Sequence, residues 1–321
     1  MPPLSKGTRI GPFIVIEPMS KGGMAQIYRA RMPVLHQDVA VKVSLSEGNG
    51  RLPQNNNALR LEVDILTRLN HPGVIRILRV PLESAKEQPY MACARNLQGA
   101  PWYYAMEYLG GGSLGSILKE THRLPFSLAS AVGYKLIDAI QYIHSRDIVH
   151  LDIKPENVLM RFPLTKGAVI EPVLIDFGVA AHTKQINASG GTLVTMAPEY
   201  IRKVRGEMDP QLRIDLEKVD VYALGVVVFR LWTGQYPFGG ITNGSLTSNI
   251  LHGTIQRPRT LNPELPPQTD ELMHAWLSKD PVARPTLDEL QKELKYFAAG
   301  LTHVPESIIP QKKKGLFGFG R

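Results

Sequence analysis

The run Ile148-Val149-His150-Leu151-Asp152-Ile153-Lys154-Pro155-Glu156-Asn157-Val158-Leu159 sets an acid, a cation and an amide at 152, 154 and 157 between two β-like apolar stretches. Nineteen residues past Asn157, the run Leu174-Ile175-Asp176-Phe177-Gly178 supplies a second carboxylate after an apolar stretch. The Asn157 amide oxygen and the Asp176 carboxylate are hard oxygen ligands of the kind magnesium takes beside phosphates. Asp152 is then free to orient a hydroxyl nucleophile. Singly, each Asp or Asn also suits a turn or a cap. Together, in this order, they point to phosphate chemistry.

Three upstream features join them. In Ser20-Lys21-Gly22-Gly23-Met24-Ala25-Gln26-Ile27, small residues at 20, 22, 23 and 25 lie between two strand-like runs. Without bulky side chains the backbone can come close to a bound anion, although a plain hairpin turn reads the same way. Val39-Ala40-Val41-Lys42 puts a lysine among apolar strand positions, either as a functional cation or as an edge lysine reaching for water. Glu62 shares a helix flank with Leu59 and Leu66. A carboxylate there is costly unless paired, and Lys42 is an available cation; the alternative is a boundary glutamate that reaches solvent.

The elements that must position these groups follow from periodicity. The first hundred residues alternate as strands, with Phe13 to Ile16, Ala25 to Met32 and Val39 to Val43 as candidates. Residues 57–70 form one helix, because Leu59, Val63, Leu66 and Leu61, Ile65, Leu69 make adjoining stripes. Residues 47–57 and 82–101 read as loops, the second as an insertion. From about residue 112 the period becomes helical. Leu128, Val132, Leu136, Ile140 and Ile143 mark a long helix with Ser127 as its N-cap. Residues 219–232 are apolar almost all round and predict a helix buried in a large domain. The fold class is therefore α+β: a sheet-rich lobe over 9–107, a larger helical lobe over 108–300, and a basic, flexible tail over 301–321.

Taken in order, these motifs resemble the eukaryotic-type protein kinases over roughly residues 9–297, and the Gly-Gly-Met-Ala turn is most similar to bacterial Hanks-type serine/threonine kinases of the receptor-kinase group. The resemblance implies a bilobal kinase fold and transfer of the γ-phosphate of ATP, with magnesium, to protein Ser/Thr hydroxyls. Ser20, Gly22 and Ala25 stand where the phosphate-covering loop has its glycines, with Gly23 beside them and Ile27 at its valine. Ala40 and the gatekeeper Met106 line the adenine site, and the backbone at Glu107 and Leu109 hydrogen-bonds the base. Lys42 holds the α- and β-phosphates and pairs with Glu62. Asp152 is the base, Lys154 meets the γ-phosphate, and Asn157 and Asp176 are the magnesium ligands. Thr192 bridges Asp152 and Lys154, Asp220 accepts backbone N–H bonds from the catalytic loop, and Glu199 pairs with Arg284. Lys154 two residues after the aspartate, with Gly191-Thr192, implies serine or threonine acceptors.

Three departures stand out. Ser20 replaces the first glycine of the loop and Ala25 the third. Leu151 stands where an arginine precedes the catalytic aspartate; that arginine binds an activation-loop phosphate, and leucine cannot. Activity is thus expected not to depend on phosphorylation at Thr183, Ser189 or Thr195, though autophosphorylation there stays possible. The alternative reading is a pseudokinase that binds nucleotide without turnover. A small-molecule phosphotransferase fits less well, since residues 176–199 resemble a platform for peptides.

Composition narrows the classes further. The 321 residues carry a net +8 from 37 basic and 29 acidic side chains, with 43% hydrophobic and 21% charged residues. Such fractions are those of globular chains, not of collagen, coiled coil or disordered polymers. Residues 301–321 hold a net +3 of that charge through Lys312, Lys313, Lys314 and Arg321 against Glu306. The remainder is only mildly basic, so nucleic acid is not an expected partner. The segment Gln311 to Arg321 mixes lysines with Leu316, Phe317 and Phe319, which suits weak contact with an anionic membrane surface. The single cysteine, Cys93, excludes an intrachain disulfide. The absence of a long apolar run or a leader-like start leads to the expectation of a cytoplasmic protein.

Overall fold

The computed structural model describes residues 3–45, 52–82, 87–182, 190–209 and 211–306. Candidate sites Thr183 and Ser189 and the basic run Gln311 to Arg321 lie outside the described residues.

Seven strands make the first sheet: β1 Arg9–Ile10, β2 Phe13–Lys21, β3 Ala25–Met32, β4 Gln37–Ser44, β5 Ile77–Leu78, β6 Met91–Cys93 and β7 Trp102–Glu107. Their order is β1-β2-β3-β4-β7-β5, with β6 also on β7, and all pairs are antiparallel. Residues 82–101, read from sequence as a loop, therefore include a strand. β6 occupies the edge of β7 beside Trp102, Tyr103 and Tyr104, next to the stretch held by β5. On one face of this sheet Ile10, Phe13, Val15, Val39, Val41 and Tyr103 form a small separate core.

Helix α1 spans Leu52–Leu66, so it begins earlier and ends earlier than the apolar stripes predict. Three asparagines at 55–57 discourage a helix locally, but tertiary bonds override propensity here. The Asn55 amide donates to Leu45 O at 2.9 Å, and Asn56 Oδ1 accepts from Ser44 Oγ at 2.5 Å. Beyond α1, Leu69 is buried and Asn70 N donates to the Tyr142 hydroxyl at 2.7 Å, carrying the chain onto the helical lobe.

That lobe holds α2 Leu114–Thr121, α3 Phe126–His144, β8 Ile148–Val149, β9 Val158–Met160, β10 Pro172–Leu174, β11 Ala181–His182, α4 Pro198–Val204, α5 Leu216–Thr233, α6 Asn243–His252, α7 Pro258–Leu261, α8 Gln268–Trp276 and α9 Leu287–Phe297. Pro125, not Ser127, precedes the first turn of α3, with no side-chain cap. Proline's fixed φ suits a helix start, and the missing N–H there costs nothing. Helix α5 is enclosed as its sequence predicts. Asp215 caps it by accepting from Glu217 N and Lys218 N, and Gly234 closes it in the left-handed region. Trp232, Phe126 and Phe297 pack around its end in tilted and edge-on pairs with centroids 5.2–5.9 Å apart. Full burial of each such side chain contributes on the order of 1.5–3 kcal/mol. Residues 302–304 pair back onto 167–170, so the start of the segment read as a flexible tail is ordered.

Candidate functional site

The sheet register brings the first group of residues into one row. Ser20 pairs with Ile27, Ile27 with Lys42 and Lys42 with Tyr104 across four neighbouring strands. The turn between β2 and β3 is closed by Gly22 N donating to Ala25 O at 2.9 Å. A Cβ on Gly22 would meet only Ala25 O at 3.6 Å, and one on Gly23 would meet nothing. The protein itself does not require glycine there, so the open space is available to an anion. Two residues along, on the same face, Ala40 pairs with Met106; both are buried, as is Leu109, while Ile27 is half-buried.

Lys42 Nζ donates to both oxygens of Glu62 and to Asp176 Oδ1, each at 2.8 Å. Glu62 is 2% exposed, so it is neither a boundary glutamate nor solvated, and Lys42 is no edge lysine. Burial alone would pull the Lys42 ammonium down, but the Tyr104 oxygen and the Glu62 and Asp176 carboxylates hold it well above its ordinary value. Burial lifts the Glu62 carboxyl above the usual carboxylate range against the pull of Lys42. At Asp176 the balance reverses: burial acts upward, yet the Lys42 ammonium holds the carboxyl below its ordinary value.

The second group gathers on the loop after β8. Asp152 Oδ1 accepts from the Thr192 hydroxyl at 2.7 Å, and Oδ2 accepts from Lys154 Nζ at 2.6 Å and Asn157 Nδ2 at 2.9 Å. Lys154 also donates to Thr192 Oγ1 at 2.8 Å, and Asn157 Nδ2 to Asp152 O at 3.0 Å. With its amide nitrogen so used, Asn157 has its oxygen left for a hard cation. Asp176 has one oxygen on Lys42 and a side chain 44% exposed. This donor set fits magnesium that takes its other ligands from phosphates and water.

The loop is braced from below. Asp220, fully buried in α5, accepts from His150 N and Leu151 N, both at 2.8 Å, and lies 2.9 Å from His144 Nε2. Leu151 is held at φ 62° and Asp176 at φ 64°, a left-handed conformation that L residues adopt at some cost. Gly191, at φ 101°, needs to be glycine: a Cβ would fall 2.7 Å from Leu151 O. Arg284 grips Glu199 with two bonds of 2.7 Å in a buried pair. Thr195 is 2% exposed and its hydroxyl donates to Thr192 O, so it is shut away from a modifying enzyme in this conformation.

Two side chains escape a reading of the sequence. Arg161 donates to Glu107 Oε2 at 2.6 Å and to Pro72 O at 3.1 Å, fastening the strand end at Glu107 to the helical lobe. Tyr104, on β7, stands directly opposite Lys42 and is buried there. In the run Trp102-Tyr103-Tyr104 an aromatic strand residue signals packing, and nothing marks its place opposite Lys42. A cavity of ≈ 890 Å³ in the helical lobe, lined by Phe238, Ile255, Pro258, His274 and Lys279 among others, contains none of the residues above.

The pattern of the family described as protein kinase domain matches residues 13–297. The chain is 32% identical over 271 residues to the serine/threonine-protein kinase PknA of Mycobacterium tuberculosis, covering 83% of this chain and 56% of that protein. It is 32% identical over 295 residues to the DNA damage-responsive serine/threonine-protein kinase RqkA of Deinococcus radiodurans, covering 88% and 39%. A Clostridium perfringens protein named Probable serine/threonine-protein kinase CPE1738 is 27% identical over 284 residues, covering 85% and 36%. The chain thus spans well under two thirds of the length of each of these relatives. With the family pattern running from β2 through α9 over a sheet-rich lobe joined to a helical one, this chain belongs to the protein kinase domain family.

Proposed function

We propose that the chain is a serine/threonine protein kinase that moves the γ-phosphate of ATP onto protein hydroxyls, its own included. The observation that carries this reading is the Asp152 carboxylate, held by Thr192, Lys154 and Asn157 on the loop that faces the Lys42–Glu62–Asp176 cluster. Ala40, Met106 and Leu109 enclose the adenine, and the backbone at Glu107 and Leu109 bonds it. Lys42 orients the α- and β-phosphates under the turn at Ser20 to Ala25. Asp152 takes the proton of the incoming Ser or Thr hydroxyl while its oxygen bonds to the γ-phosphorus and the bond to the bridging oxygen breaks, releasing ADP. Lys154 offsets charge on the transferring group. Magnesium, when held by Asn157 and Asp176, neutralises phosphate charge.

Leu151 is apolar and 4% exposed, so it cannot meet a phosphate on the activation segment. The loop takes its position from Asp220 instead, and turnover does not await that modification. The same reading assigns the work to the cytoplasm and gives the run Gln311 to Arg321 weak contact with anionic lipid.

The test is transfer of labelled phosphate from magnesium-ATP to a generic basic protein and to the chain itself, with Asp152→Asn alongside. Incorporation on Ser or Thr should fall by about 10²–10⁴-fold in the variant. A wild type that binds nucleotide but incorporates nothing would favour a pseudokinase.

A further inference from the structure

We propose that Arg161 is a positioning residue for the nucleotide: from the helical lobe its guanidinium holds the Glu107 side chain, and so sets where the chain crossing between the lobes meets the base. This rests on the adenine contact assigned to the backbone at Glu107 and Leu109. The crossing runs from Glu107, at the end of β7, to Gly112, and its two ends are fixed in different ways. At the far end the main chain holds it: Gly111 N donates to Met160 O at 3.0 Å, and Met160 N donates to Gly112 O at 2.9 Å. A Cβ on Gly111 would fall 2.4 Å from Met160 O and 2.3 Å from Phe162 O, so this close approach needs glycine.

At the near end a side chain holds it, that of the residue between Met160 and Phe162. Arg161 Nη1 donates to Glu107 Oε2 at 2.6 Å, and Nη2 donates to Glu107 Oε1 at 3.3 Å and to Pro72 O at 3.1 Å. Pro72 lies on the stretch from α1 to β5 that also touches the helical lobe, so one guanidinium ties both passages. Glu171 Oε2, 2.9 Å from Arg161 Nε, aims the fork. The two side chains are 22% and 11% exposed, and a bidentate grip of this kind fixes direction as well as distance. Glu107 N donates to Arg76 O at 3.0 Å, and Glu107 Oε1 accepts from Arg76 N at 3.2 Å. With its N–H so used, Glu107 offers the base its carbonyl, whose direction follows from how the residue is held. The next residue is held from the sheet: the Arg29 guanidinium lies 4.6 Å from the centre of the Tyr108 ring, fastened by Asp38 and Glu17 at 2.6 and 3.1 Å. Consecutive residues are thus gripped from opposite lobes. Without Arg161, Glu107 would follow the sheet through Arg76, and its carbonyl would lose its fixed relation to Leu109, buried in the larger core.

Arg161→Met keeps the apolar stem and removes the fork. Affinities for ATP and for adenosine, steady-state kcat and KM for ATP, and thermal midpoints are measured for wild type, Arg161→Met, Glu107→Gln and the double variant. The expected result in Arg161→Met is a weakening of about three- to tenfold for ATP and adenosine alike, the range for a residue that acts on a site without touching it. The loss falls on KM for ATP while kcat holds, and the double variant loses well short of the product of the two single losses. A lowered midpoint with unchanged affinities, a loss confined to kcat, a loss for ATP that adenosine does not share, or the full product in the double variant overturns the proposal. A wild type that binds neither ligand defeats the nucleotide reading itself. A wild type that binds both, with Arg161→Met binding as tightly, defeats this inference alone.

Discussion

Asp152 stands on a loop whose backbone N–H groups are bonded to a fully buried carboxylate of α5, whereas Lys42 meets Glu62 and Asp176 only through side chains reaching between separate elements. The first arrangement is locked by main-chain bonds into the core of the helical lobe. The second joins β4, α1 and the segment after β10, and it holds only while α1 keeps its place, which rests on side-chain packing of Leu59, Val63 and Leu66. The contrast divides the labour between the two halves. The loop side is a matter of folding, and the sheet side is where activity can be tuned.

The sharpest way to break this contrast is Asp220→Ala. It leaves the buried His150 and Leu151 N–H groups without their acceptor, each at about 1–3 kcal/mol, so stability should fall by about 2–6 kcal/mol. Leu151 would also be released from its left-handed conformation, and phosphate transfer should be lost with the loop geometry. Chemical denaturation with a parallel transfer assay measures both. A cost under about 1 kcal/mol would mean that the loop is not anchored through α5.

Glu62→Gln probes the other half, and its signature is pH. Burial raises the Glu62 pKa, so in the wild type the carboxylate that Lys42 grips is lost as pH falls through that raised value. Asp176 titrates lower, because Lys42 holds its carboxyl down, and stays charged over the same range. The wild type should exceed the variant about tenfold in kcat/KM for ATP at neutral pH, the scale of a charged hydrogen bond. That ratio should shrink toward one as pH falls. Using the ratio cancels the titration of ATP itself. A ratio independent of pH would assign the acid limb elsewhere.

Much of this is legible in the chain. Asp152, Lys154, Asn157 and Asp176 announce themselves because polar residues between apolar runs are costly without a use, and α5 because it is apolar all round. What stays hidden depends on distance in the sequence. Asn55 to Asn57 argue against helix locally, and only Ser44 and Leu45, brought alongside by the fold, reverse that. Tyr104 and Arg161 look like an ordinary strand aromatic and an ordinary surface cation. Lys42, opposite Tyr104, and Glu107, bound by Arg161, lie 62 and 54 residues away and share no motif with them. The start of α3 differs from expectation for a simpler reason: Ser127 is a good capping residue, but Pro125 already starts the helix two residues earlier.

The smallest predicted effect asks how loosely the sheet side is held. Asn56 Oδ1 accepts from Ser44 Oγ at 2.5 Å and from Trp102 N at 3.2 Å, so one half-buried amide ties the start of α1 to both β4 and β7. Asn56→Ala removes these bonds, at about 0.5–1.5 kcal/mol. Alanine is the better helix former by up to about 0.7 kcal/mol, which offsets part of that loss. The thermal midpoint should therefore move by only a few degrees, far less than for Asp220→Ala. Kinetics should still register the change. Glu62 lies six residues along the same helix, about 9 Å from the pin, and a freed helix start lets its carboxylate drift from Lys42. A two- to threefold rise in KM for ATP, roughly 0.4–0.7 kcal/mol, is expected. If Asn56→Ala destabilised the chain as much as Asp220→Ala, the sheet side would be braced as firmly as the loop, and α1 could not be the adjustable element.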